Sequence, residues 1–145
     1  MIIHNYNEPF IMDYGNAPLI INIDRYSTAN KSFRAALWTG VYMQVTLMSI
    51  PVGESIGIER HGDLDQFIRI EGGTALVEMG LDKSNLSYKR AVNSDYAVIV
   101  PAGIWHNITN TGHTPLKLYS IYAPPQHPFG TVHKTKADAM LAEKD

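Results

Sequence analysis

Between residues 32 and 122 the sequence alternates short apolar, β-branched and aromatic segments with turn residues, and no other feature constrains the fold as strongly. Turn signals such as Pro51-Val52-Gly53, Gly72-Gly73 and Asn93-Ser94-Asp95 separate the segments. Short strands that turns interrupt at regular intervals are typical of an antiparallel barrel or sandwich. The predicted strands span residues 32–39, 42–50, 55–60, 66–71, 74–79, 88–92, 96–100, 106–109 and 116–122.

The two ends of the chain are less regular than this central region. Thr135 and Asp138 have the spacing of a capping box, and the alanine-rich segment that follows them predicts a short C-terminal helix. The proline-rich residues 124–130 are expected to form an extended loop before that helix, so residues 124–145 form a C-terminal loop and helix. Among the first 30 residues, 19–23 are a candidate edge strand.

The composition excludes several classes of partner and site. A chain of 145 residues fits one domain, spanning residues 1–145, and its net charge of −2 argues against a nucleic-acid partner. No segment approaches the ~20 apolar residues of a membrane span. The first ten residues contain polar side chains where a secretion signal needs an apolar run, so we expect a cytoplasmic protein. Because the chain has no cysteine, a metal must be held by imidazole, carboxylate or amide groups.

Glu59 and His61 stand two residues apart in a predicted strand, so their side chains leave the same face. After a glycine-containing turn, the next strand presents either Asp65 or Gln66 to that face. An inward Asp65 would also place Arg69 in the interior, where an unpaired guanidinium is costly. We therefore predict that Gln66 points inward, while Asp65 either bonds a ligating imidazole or steadies the turn.

A second histidine, His106, follows the turn at Pro101-Ala102-Gly103 and begins a later strand. Antiparallel barrels bring such distant strands together. The sequence therefore predicts that Glu59, His61, Gln66 and His106 hold one divalent transition metal, with the amide as the weakest ligand. These ligand types suit Zn²⁺, Mn²⁺, Fe²⁺, Ni²⁺ or Co²⁺ rather than Ca²⁺, and two histidines with one carboxylate are also the ligand set of non-haem iron oxygenases.

These candidate ligands belong to two spaced patterns, which lie between residues 53 and 110. The patterns consist of Gly53, Glu59, His61, Gln66 and Gly73, and then of Asp95, Pro101, Gly103, His106 and Asn110. They resemble the two motifs of the cupin superfamily, Gly-x5-His-x-His-x3-4-Glu-x6-Gly and Gly-x5-Pro-x-Gly-x2-His-x3-Asn, and every spacing matches. Three identities differ: Glu59 replaces the first histidine, Gln66 replaces the glutamate, and Asp95 replaces the opening glycine of the second motif. The first two changes exchange a carboxylate and a neutral ligand, so the total charge of the ligands is preserved.

The resemblance implies an all-β fold, the cupin jelly-roll barrel or double-stranded β-helix, with a short C-terminal helix. The wider sequence, on residues 37–40, 66–71 and 130–138, is similar to the small single-domain bacterial cupins that are grouped with mannose-6-phosphate isomerase. The resemblance therefore implies a metal-dependent sugar or sugar-phosphate isomerase or epimerase. A non-haem metal dioxygenase and a non-enzymatic cupin that binds a small ligand are the alternatives.

The substrate and the catalytic base are not identified by the motif residues. A small molecule, with a carbohydrate as the leading candidate, is the expected partner. His127 and His133 either close over the barrel mouth or lie in solvent, and we expect solvent exposure for both. A homodimer is also expected, because the apolar residues 17–23 offer a strand that would extend a partner's sheet. The basic side chains that are candidates to meet a phosphate are Arg25, Lys31, Arg34, Arg60, Lys89 and Arg90.

Overall fold

The computed structural model describes residues 9–143, in which nine strands form two antiparallel sheets. In chain order the elements are α1 (Ile23–Ala29), β1 (Arg34–Thr39), β2 (Gln44–Ile50), β3 (Asp65–Gly72), β4 (Ala75–Gly80), β5 (Tyr88–Val92), β6 (Ala97–Val100), β7 (Trp105–Asn110), β8 (Leu116–Ala123), β9 (Val132–His133) and α2 (Lys136–Glu143). The larger sheet has the order β6-β3-β8-β2-β1-β9, and the smaller has the order β5-β4-β7. This arrangement confirms the predicted all-β fold with a short C-terminal helix.

The main core lies between the two sheets and follows the two-residue period of the strands. In β3 the inward positions Gln66, Ile68 and Ile70 are buried, and the positions between them are exposed or half-buried. The smaller sheet contributes Val77 and Ile108 to the same cluster. One face of each sheet therefore lines a common interior, and Gln66 opens into it as strand parity predicts.

The outer face of the larger sheet is covered as well, because the N-terminal segment and α1 pack on it. Every residue of β2 is buried, which requires cover on both faces of that strand. Leu37 and Leu47 form a second apolar cluster on this side, against which Ile21 and Tyr26 of the N-terminal region pack. The N-terminal residues thus close the sheet from one side rather than extending its edge.

The predicted edge strand at residues 19–23 is therefore wrong. These residues pair with no strand among those described, and helix α1 begins at Ile23. The Oδ1 atom of Asn22 caps that helix by accepting a hydrogen bond from the Arg25 amide at 3.1 Å. The residues of this stretch are apolar because they pack on the face of the sheet. An apolar sequence pattern does not distinguish such packing from pairing at the edge of the sheet. A homodimer stays a prediction, without the strand proposed to form it.

The predicted strand at residues 55–60 is also wrong as a regular strand. The segment touches β7 only through isolated bridges, Ser55 with Thr109 and Glu59 with His106. Gly57, between these bridges, has φ +90°, a left-handed conformation that interrupts the extended backbone. The segment still runs antiparallel to β7 at Glu59. Its side chains there keep the orientation of a strand, although the regular hydrogen bonding of a strand is missing.

The C-terminal region contains both the predicted helix and a strand that the sequence did not indicate. The Thr135 amide donates to Asp138 Oδ2 at 3.3 Å, and the Asp138 amide donates to Thr135 Oγ1 at 3.1 Å, so the predicted capping box is confirmed. Strand β9 precedes this helix and pairs with β1. Its two residues are too few to produce a recognisable strand pattern.

Both ends of the chain extend beyond the described residues. Residues 1–8, which argued against a secretion signal, lie outside the described residues, as do residues 144–145 of the C-terminal segment. Within residues 9–143, neither helix has the length and apolar character needed to cross a bilayer.

Asp95 supplies a test of the local backbone, because it stands where the second cupin motif has glycine and its φ is +76°. A side chain with a β-carbon costs about 1 kcal/mol in this left-handed conformation. We expect Asp95→Ala to have a free energy of unfolding about 1 kcal/mol lower than Asp95→Gly, measured by urea denaturation. Both variants lose the contact of Asp95 with Arg69, so their difference isolates the backbone, and equal stabilities would contradict the explanation.

Candidate metal centre

Glu59 and His61 are held in place by backbone hydrogen bonds between the segment around residue 59 and β7. The Glu59 amide donates to the His106 carbonyl at 3.0 Å, and the His106 amide donates to the Glu59 carbonyl at 2.9 Å. Ile58 and Arg60 are exposed, whereas Glu59 and His61 are partly buried, so the two candidate ligands share the inward face. The reciprocal pair of bonds brings His106 beside them, although it lies 47 residues after Glu59 in the chain.

The side chains of these three residues converge. Glu59 Oε2 lies 3.4 Å from His61 Nε2 and 3.7 Å from His106 Nε2. One donor atom from each of the three residues lies within 4.8 Å of the other two. His106 is fully buried, while Glu59 and His61 keep a small exposed fraction. Two imidazoles and one carboxylate therefore surround a common point.

The hydrogen bonds of the imidazoles leave their Nε2 atoms available to a metal. His106 Nδ1 lies 3.1 Å from the Ile104 carbonyl, which can only accept, so Nδ1 carries the proton and Nε2 carries a lone pair. The Nε2 atoms of His61 and His106 are both buried without a hydrogen-bond partner in the described structure. Burial lowers the pKa of His106, which favours the neutral ring that a metal requires. The residues present thus fit a bound divalent cation.

Glu59 is ionised in this setting because its neighbours outweigh its burial. Desolvation by burial acts to raise the pKa of Glu59, but the close contact with His61 and the charge of Arg34 lower it below its ordinary value. Arg34 Nη2 lies 3.6 Å from Glu59 Oε1, on the carboxylate oxygen that faces away from the imidazoles. One oxygen is therefore held by the guanidinium while the other, Oε2, is turned toward both histidines.

Gln66 is buried, and its amide has one atom engaged and one atom free. Its Nε2 donates to Ser120 Oγ at 3.2 Å, which turns Oε1 in another direction, and Oε1 is buried with no hydrogen-bond partner in the described structure. Asp65 is exposed instead and accepts from the Ala102 amide at 2.9 Å, so it steadies the turn before β7. The orientation of Gln66 agrees with strand parity, and its role as a ligand stays a prediction.

Arg34 is the one of the six candidate basic residues that enters the barrel. It is 2% exposed, whereas Arg25, Lys31, Arg60, Lys89 and Arg90 are exposed. Besides its contact with Glu59, its Nη1 lies 3.3 Å from His133 Nδ1, which must accept because a guanidinium only donates. Arg34 therefore joins the carboxylate of the candidate centre to the strand β9.

Three aromatic side chains continue the site from His61 toward β9. The ring of Tyr122 lies 5.8 Å from that of His61, the ring of His127 lies 5.4 Å from Tyr122, and the ring of His133 lies 6.2 Å from His127. His127 and His133 are half-buried, so the expectation that both lie in solvent is wrong. They belong to the wall of the site.

The position of His127 is fixed by the buried side chain of Gln44. Gln44 Oε1 accepts hydrogen bonds from the backbone amides of Gln126 and His127 at 3.2 and 2.9 Å, and Gln44 Nε2 donates to the His127 carbonyl at 2.9 Å. This arrangement clamps the proline-rich segment against β2, so that the segment folds back over the interior instead of extending into solvent.

The proton-binding behaviour of these groups follows from their burial. Desolvation by burial raises the pKa of Tyr122 to about 12, so its phenol stays protonated at neutral pH. Burial, followed by the nearby charge of Arg34, lowers the pKa of His127 to about 3, so its ring is neutral. The same two causes lower the pKa of His133. A protonated phenol and neutral imidazoles therefore stand side by side next to the three converging ligands.

The sequence did not single out Tyr122 or Gln44, although one signal pointed to Tyr122. Tyr122 continues the inward series Leu116, Leu118 and Ser120 of β8, and β8 pairs with β3 so that Tyr122 lies opposite Gln66. Parity alone would have turned Tyr122 inward. Its nearness to His61 depends on the pairing register, which the sequence does not contain.

Comparisons with known proteins agree with this architecture. The family model described as a cupin domain matches residues 46–122, which include all the candidate ligands. The uncharacterized protein YrkC of Bacillus subtilis (strain 168) is 59% identical over 133 residues, covering 92% of this chain and 72% of that protein. The uncharacterized protein L612 of Acanthamoeba polyphaga mimivirus is 37% identical over 118 residues, covering 81% of this chain and 72% of that protein.

A solved structure also resembles this chain over most of its length. The crystal structure of BH2720 from Bacillus halodurans superposes with a TM-score of 0.90 at 58% sequence identity, covering 90% of this chain and 99% of that chain. The two-sheet architecture described above is therefore shared with an experimentally determined fold of close sequence.

Proposed function

This chain belongs to the cupin family, and on that premise we propose that it is a metal-dependent isomerase of small hydroxy-carbonyl compounds, of the sugar or sugar-phosphate class. One observation carries the proposal. Three converging ligand atoms from Glu59, His61 and His106 stand beside the protonated phenol of Tyr122 and the neutral imidazole of His127. A Lewis-acid cation and a proton donor together can catalyse the isomerisation of a hydroxy-carbonyl compound.

The residues that would hold the ion are Glu59, His61 and His106, with Gln66 Oε1 as a fourth ligand. Support for the fourth position comes from the buried, unpartnered state of that oxygen. The donor set of two imidazoles, one carboxylate and one amide suits Zn²⁺, Mn²⁺, Fe²⁺, Ni²⁺ or Co²⁺. When bound, such an ion supplies a Lewis acid that polarises a carbonyl and its neighbouring hydroxyl.

Tyr122 is the residue of this chain that is placed to supply a proton. It keeps its phenol proton at neutral pH and is placed to donate a hydrogen bond or a proton to a substrate oxygen. His127 is a neutral ring next to Tyr122, but its pKa of about 3 makes it too weak a base to take a proton from carbon, so it is assigned no part in that step. The reaction is balanced, because the adjacent carbon gains one proton for each proton that the first carbon loses, and no oxidant is consumed.

Arg34 acts as a positioning residue for this chemistry. It holds one oxygen of Glu59 and the Nδ1 atom of His133, so it fixes the carboxylate on one side and the wall of the site on the other. A site lined by a guanidinium, a phenol and two imidazoles is polar. Polar lining favours a hydroxylated substrate over an apolar one.

A non-haem oxygenase is the second candidate, and the ligand set is the observation that favours it. Two histidines and one carboxylate with open positions are the set that Fe(II) oxygenases use. The two functions differ in what they consume, because an isomerase leaves dioxygen untouched whereas an oxygenase removes it from solution.

The test is proton NMR of the metal-replete protein in D₂O with a panel of aldoses, ketoses and their phosphates. Isomerase activity predicts interconversion of an aldose and a ketose, with deuterium entering at the carbon beside the carbonyl. Tyr122→Phe, which removes only the phenolic oxygen, is expected to lower the rate about 10²- to 10⁴-fold, the range for one general acid–base group.

The matched control is Tyr119→Phe, because Tyr119 lies in the same strand but belongs to the apolar cluster on the outer face. It should leave the rate unchanged. Absence of isotope exchange with every sugar, together with dioxygen consumption by the iron-loaded protein, would contradict the isomerase and support the oxygenase.

A further inference from the structure

A second concave site, separate from the candidate metal centre, lies where helix α2 meets the ends of β2 and β8. It is a cavity of about 440 Å³, and none of Glu59, His61 or His106 lines it. The volume lies within the range of small-molecule binding pockets. Four of its lining residues are lysines: Lys31, Lys117, Lys134 and Lys136.

The charged residues around this cavity are mostly positive. Within residues 9–143, none of the four lysines forms an ion pair with a carboxylate. The acidic residue in the lining is Glu54, which is exposed. The carboxylate of Asp138, in the first turn of α2, is occupied as the helix cap. Four lysines thus line a shared space with little compensating negative charge.

Two of the lysines are held in position by hydrogen bonds with neutral acceptors. Lys117 Nζ donates to the Asn30 carbonyl at 2.5 Å, and Lys136 Nζ donates to Ser55 Oγ at 3.2 Å. Each ammonium has three donors, so further donors remain on both. Burial, and after it the charge of Lys31, lowers the pKa of Lys117.

The start of α2 adds to the positive field. Thr135, Lys136 and Ala137 line the cavity and form the N-terminal end of the helix, where the helix dipole places partial positive charge. The lining also contains apolar residues, Phe33 and Pro115. The cavity therefore combines cationic and apolar lining residues.

We propose that this cavity binds a small phosphorylated molecule, with the lysines and the start of α2 holding its phosphate oxygens and the apolar lining residues holding its organic part. Lysine is a common phosphate ligand that acts as a point charge. A compound with two or more negative charges compensates the lysine cluster more fully than a monoanion does. This site does not depend on the isomerase assignment, because it shares no residue with the metal centre.

The experiment titrates inorganic pyrophosphate into the full-length protein and follows binding by calorimetry and by the backbone amide NMR spectrum. We expect saturable binding of one pyrophosphate per chain, with amide shifts at Thr135 and Ala137. Lys117→Met, which keeps the aliphatic stem, and Lys134→Ala should each weaken binding about tenfold or more, as expected for loss of a charge-assisted contact.

The control variant is Lys89→Ala, which removes the same charge from β5, where Lys89 pairs with Glu78 at 3.3 Å. It should leave the affinity for pyrophosphate unchanged within about twofold. A loss of affinity equal to that of the two cavity variants would mean that net charge alone causes the effect, and it would overturn the site. Should Lys117→Met fail to fold, Lys134→Ala still decides the outcome, because the Lys134 side chain is exposed.

Three further results would overturn the proposal. Shifts centred on Glu59 and His106 would place pyrophosphate at the metal centre instead. Tighter binding of a glutamate-rich peptide than of pyrophosphate would assign the surface to an acidic protein partner. Absence of saturable binding at millimolar pyrophosphate would remove the site altogether.

Discussion

Replacing His106 with alanine is expected to strip the divalent metal from the purified protein. The imidazole contributes one of three converging donor atoms, and its Nε2 atom is buried with no other partner in the described structure. Loss of a residue that only orients a ligand costs about 10- to 100-fold in metal affinity, so loss of a ligand should cost at least about 100-fold. Elemental analysis after growth in metal-replete medium measures the change directly.

Two comparisons make this result specific. His61→Ala should behave in the same way, and it disturbs the core less because His61 keeps some exposure. His113→Ala removes an exposed histidine of the β7–β8 turn and should leave the metal content unchanged. Gln66→Ala should weaken binding less than either ligand imidazole, because a neutral amide is the weakest donor of the four. Unchanged metal content in both His61→Ala and His106→Ala would rule out the assigned centre.

Replacing Arg34 with methionine is expected to destabilise the metal-free protein by about 3–5 kcal/mol, the cost of leaving a buried charge without its partner. Arg34 is 2% exposed and is the guanidinium nearest to the ionised Glu59. Adding Glu59→Gln to Arg34→Met should recover a large part of that loss, because the neutral amide no longer needs a counter-charge. The free energies of unfolding come from urea denaturation in the presence of a chelator.

Lys89→Met is the matched control for this cycle. Lys89 also forms an ion pair with a carboxylate, Glu78, but its side chain is 56% exposed. Solvent screens such a pair, so the control should change stability far less than Arg34→Met does. Equal effects of the two substitutions, or strict additivity of Arg34→Met with Glu59→Gln, would contradict a buried pair in the barrel.

The part of the site that the sequence predicts depends on local geometry. Glu59 and His61 share a face because two residues separate them, and Gln66 turns inward because its neighbours Ile68 and Ile70 are apolar. These facts need only the period of an extended chain. The position of His106 could not be predicted in this way, because its contact with Glu59 crosses the barrel. It was the spacing of the two motifs that predicted this contact.

The rest of the site depends on long-range packing that no local pattern contains. Arg34, Tyr122 and His127 meet at the centre because β1, β8 and the segment after β8 are brought together by sheet order and by the Gln44 clamp. The proline-rich segment is expected to form an extended loop whether it points into solvent or lies over the barrel. A buried glutamine more than 80 residues away decides which of the two occurs.

The N-terminal region shows the same limit for the fold. Residues 19–23 are apolar, and apolar side chains are needed equally by an edge strand and by a segment lying across a sheet face. Helix α1 has only seven residues, which is too short for a helical period to be visible in the sequence. Its capping residue, Asn22, was the one local sign of where the helix begins.

The most direct test of the metal centre is anomalous X-ray diffraction from crystals of protein purified without chelators, recorded at the absorption edges of the candidate metals. The proposed centre predicts one peak in the barrel, at about 2.0–2.2 Å from Nε2 of His61, Nε2 of His106 and Oε2 of Glu59. An ion bound only by other residues, or metal-replete crystals with no anomalous peak between these three side chains, would contradict it.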